Sequence, residues 1–134
     1  MNKLLNKQEI TEILKVKSYP INEYWVTAGA GLVMHGVKPA ANDIDMGCSS
    51  LLADILIQDG AKWSCLDDGN RKIEPLTGIE LFENWNVDRI TLIGGIPVAS
   101  LSSIRKQKAE LNRAKDRDDI SLIDLFISQG QNPK

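Results

Sequence analysis

The chain is poor in the residue types that most often announce a function. It has two cysteines, one histidine, three tryptophans, two tyrosines and two phenylalanines in 134 residues. Cys48 and Cys65 are too few and too isolated for a zinc ligand set or a disulfide framework, and they are expected as reduced, small apolar fillers. The single histidine, His35, has no Ser or Cys nucleophile motif around it, which excludes a nucleophilic triad. Its expected role is at the C-terminal end of a short helix, where its charge suits the dipole. No apolar run is long enough to span a bilayer. The segment Met1–Lys7 has no signal-peptide core, so a cytoplasmic protein is expected. Charge of one sign is also lacking: 18 acidic and 16 basic residues give a net charge of −2. That excludes a dedicated nucleic-acid binder, which is usually basic. A nucleotide substrate stays open, and nucleic acid remains only as an acceptor.

What is present is ordinary for a globular chain, with 43% hydrophobic and 25% charged residues. The length predicts one domain over residues 1–134, with 130–134 as a frayed tail. Asn6–Lys7–Gln8–Glu9 reads as a capping box opening a helix to about Lys17, with Ile10, Ile13, Leu14 and Lys17 in its stripe. Strands are expected at Tyr24–Ala28 and Ile44–Cys48, with a short helix at Gly31–Gly36 between them. Ser49 or Ser50 caps a helix over Leu51–Gln58. Trp63–Leu66 and Arg71–Pro75 flank the turn Asp67–Asp68–Gly69–Asn70 as a hairpin. Ile79–Glu83 is a further strand. Arg89–Ile93 and Ile96–Ala99 pair around Gly94–Gly95. Ser100 or Ser102 caps a helix to about Asn112, and a last helix runs from about Asp116 to Ser128. The pattern is α+β, a mixed and mostly antiparallel sheet with helices packed mainly on one face.

The chemistry concentrates in Thr27–Ala28–Gly29–Ala30–Gly31 and Asn42–Asp43–Ile44–Asp45–Met46. In a strand, Asp43 and Asp45 share a face while Ile44 and Met46 take the other. Two adjacent carboxylates repel each other and resist desolvation. Such a pair is either an exposed strand end or a cation site, and a divalent metal with a phosphorylated substrate suits it.

This order of strand, glycine turn, helix and Asp-x-Asp strand resembles the nucleotidyltransferase superfamily of the DNA polymerase beta type. On that resemblance Gly29 and Ala30 form the phosphate-holding turn. Twelve residues, Gly31 to Asn42, separate it from Asp43. Ala30 stands where the family usually has Ser or Gly. The run from Lys108 to Asp119 is similar to the Lys…Arg-x-Lys-Asp-x-x-Asp run of small bacterial, abortive-infection-type nucleotidyltransferases, which carries over to Lys108, Arg113, Lys115, Asp116 and Asp119. The resemblance implies Mg²⁺ or Mn²⁺ on Asp43, Asp45 and a third acid, with Lys108, Arg113 and Lys115 on the triphosphate. The third acid is sought among Glu74, Glu80 and Glu83. Glu80, in Gly78–Ile79–Glu80–Leu81, fits the family context best and Glu74 is second.

The residues themselves weigh on these assignments. Leu101, Ile104, Lys108 and Leu111 fall on one helical stripe, so Lys108 points into the body of the protein. Its ammonium then needs a partner, either Asp119, Asp116 or a substrate triphosphate. Asp116 also reads as an N-cap with Asp119 at the N3 position. Lys115 and Arg113 lie in an interhelical turn from which phosphates or plain solvent are equally reachable. Arg105, Lys106 and Arg117 read as a solvated face, and Lys38 as a loop lysine before Asp43. Trp25, Trp63 and Trp85 read as packing residues, with Trp85 placed to line an acceptor pocket.

Two functions from different classes follow. One is a metal-dependent nucleotidyltransferase that moves a nucleoside monophosphate from a triphosphate, ATP by preference, to a hydroxyl or phosphate acceptor. The other is a degenerate member of the same fold that works by binding, as a toxin–antitoxin partner module. A protein partner or a homodimer suits either, and a membrane suits neither.

Overall fold

The computed structural model describes residues 4–130. Of the frayed tail expected at 130–134, residues 131–134 lie outside the described residues, as do Met1, Asn2 and Lys3 of the segment read as lacking a signal core. Among the described residues, five helices and one seven-stranded mixed sheet make an α+β fold. Among the described residues, no helix is long and apolar enough to cross a membrane.

Helix α1 (Lys7–Lys17) begins at the expected capping box. The Asn6 side chain accepts from the Glu9 N–H at 2.9 Å, and the Asn6 N–H donates back to Glu9 at 3.1 Å. Strand β1 (Tyr24–Thr27) runs directly into helix α2 (Ala28–His35), which starts three residues earlier than Gly31 and leaves no loop. Strand β2 (Ile44–Cys48) leads to helix α3 (Ser50–Gln58), capped by the Ser49 hydroxyl. The hairpin of β3 (Lys62–Cys65) and β4 (Arg71–Leu76) is followed by β5 (Ile79–Glu83). A second hairpin, β6 (Ile90–Ile93) and β7 (Ile96–Ala99), leads to helix α4 (Leu101–Leu111), capped by Ser100. Helix α5 (Ala114–Ser128) closes the fold.

The strand order is β3-β4-β5-β2-β1-β7-β6, with β1/β7 and β2/β5 parallel and the other four pairings antiparallel. Period-two alternation gives the sheet two unlike faces. Tyr24, Val26, Ile44, Met46, Cys48, Ile73, Leu81 and Val98 point to one face and are buried with Ile10 and Leu14 of α1, Val33 and Met34 of α2, and Leu52 and Leu56 of α3. Each such side chain contributes about 1.5–3 kcal/mol when fully buried. Cys48 is therefore the filler expected, and burial with the neighbouring Glu83 pushes its thiol up to about 12. Cys65 is not a filler; it is exposed on β3 beside the exposed Trp63, because β3 is a solvated edge strand.

The opposite face carries Trp25, Thr27, Asp45, Gly47, Glu80 and Phe82. Helices α1 to α3 leave it open. Helices α4 and α5 meet α2 through Leu32, Leu101, Ile104 and Ile123, and α4 covers the β1 end of this face, where Trp25 packs against that cluster and Thr27 bonds Gln107. Gly31 makes that approach possible, since a Cβ there would stand 2.7 Å from the Ile104 Cδ1. Gly47 has an equivalent role on the sheet, where the Trp25 indole lies across the space its side chain would fill. Gly47→Ala is expected to displace the indole and lower stability by about 1–3 kcal/mol, read as a lower urea midpoint with an unchanged slope.

Candidate functional site

The turn between β1 and α2 is the first element of the site. Ala28 has φ of 54°, a left-handed conformation that disfavours any residue with a Cβ. The sharp turn thus falls one residue before the expected Gly29–Ala30. Gly29 lies in the first helical turn, half-buried, and Ala30 is only 1% exposed, packed in the core. Ala28 lines the cavity described below, and it is a residue the sequence reading passed over because alanine carries no turn signal.

Beside this turn, the register of three strands sets Thr27, Asp45 and Glu80 in one row across β1, β2 and β5. Thr27 is fully buried and donates from Oγ1 to Gln107 Oε1 at 2.8 Å, and Gln107 Nε2 reaches the Asn86 carbonyl at 3.3 Å. Asp45 is pushed up to about 6, first by burial and then by the charges of Glu80 and Asp43; Lys115 and Lys72 oppose the shift. Glu80 meets Lys72 Nζ at 2.8 Å. Asp43 sits half-buried just before β2, against Gly78. Among the described residues, no group of three or more His, Cys, Asp or Glu side chains is arranged to hold a metal ion. The donor chemistry that remains is a pair of carboxylates, and Mg²⁺ is held by one or two carboxylates together with phosphate oxygens.

The other two candidate acids are placed differently. Glu83 faces the helices, not the open sheet face. Arg71 grips it with Nε at 3.0 Å and Nη2 at 2.7 Å and also reaches Asp54 at 2.8 Å. The guanidinium holds the Glu83 carboxyl down to about 2. It staples β4, β5 and α3. Glu74 lies opposite Lys62 on the β3/β4 hairpin, in a shallow groove with Trp63, away from the Asp45 row.

The cationic residues divide in the same way. Lys108 is buried and lies 3.0 Å from Asp119 and 3.7 Å from Asp116, so both sequence-proposed carboxylates are its partners. Lys38 joins from the other side, 3.2 Å from Asp119. Arg113 is the N-cap residue of α5, and Asp116 is not. Asp116 stands at N3, accepts from the Arg113 N–H at 3.0 Å and takes the guanidinium at 2.6 and 3.1 Å. This is why α5 starts at Ala114 and why Asp119 is left free to pair with two lysines. Hydrogen bonds from Arg113 hold the fully buried Asp116 carboxyl below its ordinary range. Lys115 differs: it is exposed, makes no ion pair among the described residues, and acts on Asp45 through charge. Arg105 pairs with Asp124 on the surface as expected of a solvated face.

These elements surround a cavity of about 440 Å³, within the range of small-molecule sites. Asp45 and Ala28 line it on the sheet side, and Lys108, Arg113 and Lys115 on the helix side. Phe82 and Trp85 form its remaining wall, with ring centroids 5.0 Å apart at 72°. Trp25 supports that wall by donating from Nε1 to the Trp85 carbonyl at 3.0 Å. The alternation Glu80–Phe82 was the available signal for Phe82. Asn86 and Gln107 had none, because their part is set by the docking of α4. His35 ties α2 to β7 through Nε2, which donates to the Ala99 carbonyl at 2.8 Å, while Gly36 is the C-cap of α2. Comparison of the chain with protein-family models, curated proteins and solved structures returned no match.

The raised Asp45 carboxyl makes a signed prediction. The folded state holds this proton above the pH at which the unfolded chain releases it, so stability falls as pH rises from about 4 to about 6. Asp45→Asn is expected to be more stable than the parent at pH 7, by on the order of 1–3 kcal/mol. The gap should close below pH 4, as read by urea unfolding across the pH range.

Proposed function

We propose that the chain is a small nucleotidyltransferase, transferring a nucleoside monophosphate from a nucleoside triphosphate, ATP by preference, to a hydroxyl or phosphate acceptor. The observation that supports this reading is the cavity's division of charge. Asp45, crowded by Asp43 and Glu80, lies on one wall, and Lys115, which makes no ion pair among the described residues, lies within electrostatic reach on the other. A phosphate chain with a divalent cation satisfies both walls at once, since the cation takes the carboxylates and the lysine takes phosphate oxygens.

Asp43 and Asp45 would hold Mg²⁺ or Mn²⁺, which supplies neutralisation of the phosphate charge when bound. The acceptor oxygen attacks the α-phosphorus, the bond from that phosphorus to its bridging oxygen breaks, and pyrophosphate leaves with the electron pair. Glu80, opposite Asp45, takes the acceptor's proton. Lys115 and the N–H groups of the α2 N-terminus, around Ala28 and Gly29, bind phosphate oxygens. Lys108 and Arg113 serve by holding the α4–α5 junction, since their charges are met by Asp119 and Asp116.

A second reading is favoured by one observation, the neutralisation of Glu80 by Lys72. A site whose third acid is already paired suits a degenerate member acting as a binding or toxin–antitoxin module. The readings separate on nucleotide binding. Calorimetry with ATP is expected to show binding that requires Mg²⁺ and is lost in the Asp43→Asn/Asp45→Asn double variant. Absence of binding in the parent chain supports the partner module instead. Turnover retained by the double variant would sink the transferase.

The lysines make a sharper prediction. Lys115→Ala should weaken Mg²⁺-ATP binding about tenfold with an unchanged urea midpoint. Lys108→Met should instead lower stability by about 1–3 kcal/mol, because Asp119 is left with Lys38 alone and Asp116 with Arg113 alone.

A further inference from the structure

We infer that the aromatic wall of the cavity is the seat of the nucleobase, an inference that rests on the nucleotide reading above. The sheet register carries it. One row of the open face is Thr27–Asp45–Glu80, and two residues further along the same strands the row is Trp25–Gly47–Phe82. Two residues of strand separate the acidic row from the aromatic row by about 7 Å. A nucleotide has the same order of parts, with a sugar between its charged phosphates and its flat apolar ring.

The second row is built as a platform. Gly47 supplies no side chain, and the Trp25 indole lies over it. That indole then fastens the Trp85 backbone at 3.0 Å, which holds the Phe82–Trp85 corner in place. Rings at 72° to each other offer one face to stack on and one edge to abut. Leu66 of the β3–β4 hairpin and Leu111 at the end of α4 flank the corner. Leu111 is 51% exposed, an apolar side chain on the cavity rim with no core to join. Stacking on an aromatic face tolerates any base and is worth about tenfold or more in affinity.

The test separates the ring from the phosphates. Calorimetry with Mg²⁺ would compare ATP with inorganic tripolyphosphate on the parent chain, Trp85→Leu and Phe82→Leu. The fastening of this loop uses the Trp85 carbonyl, so the leucine variants keep it, and a urea midpoint near the parent's verifies that they fold. The expected result is ATP at least tenfold tighter than tripolyphosphate on the parent. In the variants that gap narrows to about twofold, with tripolyphosphate affinity unchanged. Equal affinity of the two ligands on the parent would overturn the inference, assign the wall to the acceptor and leave the nucleotidyltransferase reading standing. A gap that survives both substitutions would overturn it as well. Failure of either ligand to bind the parent would remove the nucleotide reading and this inference with it.

Discussion

The pairing of β2 with β5 sets Asp45 directly opposite Glu80, and the polar architecture of the open sheet face answers that one juxtaposition. Two carboxylates on neighbouring parallel strands repel, and partial burial of Asp45 removes the water that would screen them. The fold meets the charge with Lys72 on Glu80, and Asp45 feels only the more distant charges of Lys115 and Lys72. An unrelieved carboxylate in a cavity is costly to the fold and useful to a ligand that brings positive charge. The contrast with Glu83 is instructive. It lies on the same strand as Glu80, yet Arg71 relieves it fully and turns it into a cross-link between sheet and α3.

The helix side of the cavity follows the same principle with the signs reversed. Lys108 enters the protein on an apolar stripe and is met by Asp116 and Asp119. Arg113 and Lys38 complete the cluster, so that each buried charge has an opposite partner. The cluster fixes the angle at which α5 leaves α4. That angle presents Lys115 toward the carboxylates. The position of one exposed lysine thus depends on an ion network in which it takes no part.

Backbone geometry supplies the remaining constraint. With no loop between β1 and α2, the chain must turn at Ala28, and it does so in a conformation an L-residue adopts only at a cost. Thr27, fully buried, anchors the turn to Gln107 of α4. The strain therefore sits on the cavity lip, held by the hydrogen bond that Thr27 donates to the helix that also carries Lys108.

Much of this was legible in the residues alone. The α+β class, the strand sequence, the capping box at Asn6, a serine cap at Ser49 or Ser50 and at Ser100 or Ser102, and the inward course of Lys108 follow from local periodicity and hydrogen-bonding chemistry, which depend on near neighbours. Asp45 was visible because alternation assigns a face without knowledge of the partner strand, whereas Asp43 lies in a bend before β2, outside that alternation. What neighbours in space decide was not legible. The family resemblance placed the turn at Gly29–Ala30, whereas Gly31 is small to admit Ile104 and the left-handed residue is Ala28. The same resemblance set Lys108, Arg113 and Lys115 alike on the triphosphate, although periodicity already turned Lys108 inward. Only the docking of α5 on α4 consumes the first two and leaves the third, and only the register of β2 against β5 chooses Glu80 over Glu74 and Glu83 as the partner of Asp45. Local propensity acts over a few residues, and the pairing of charges across a fold is a property of distances that no local pattern contains.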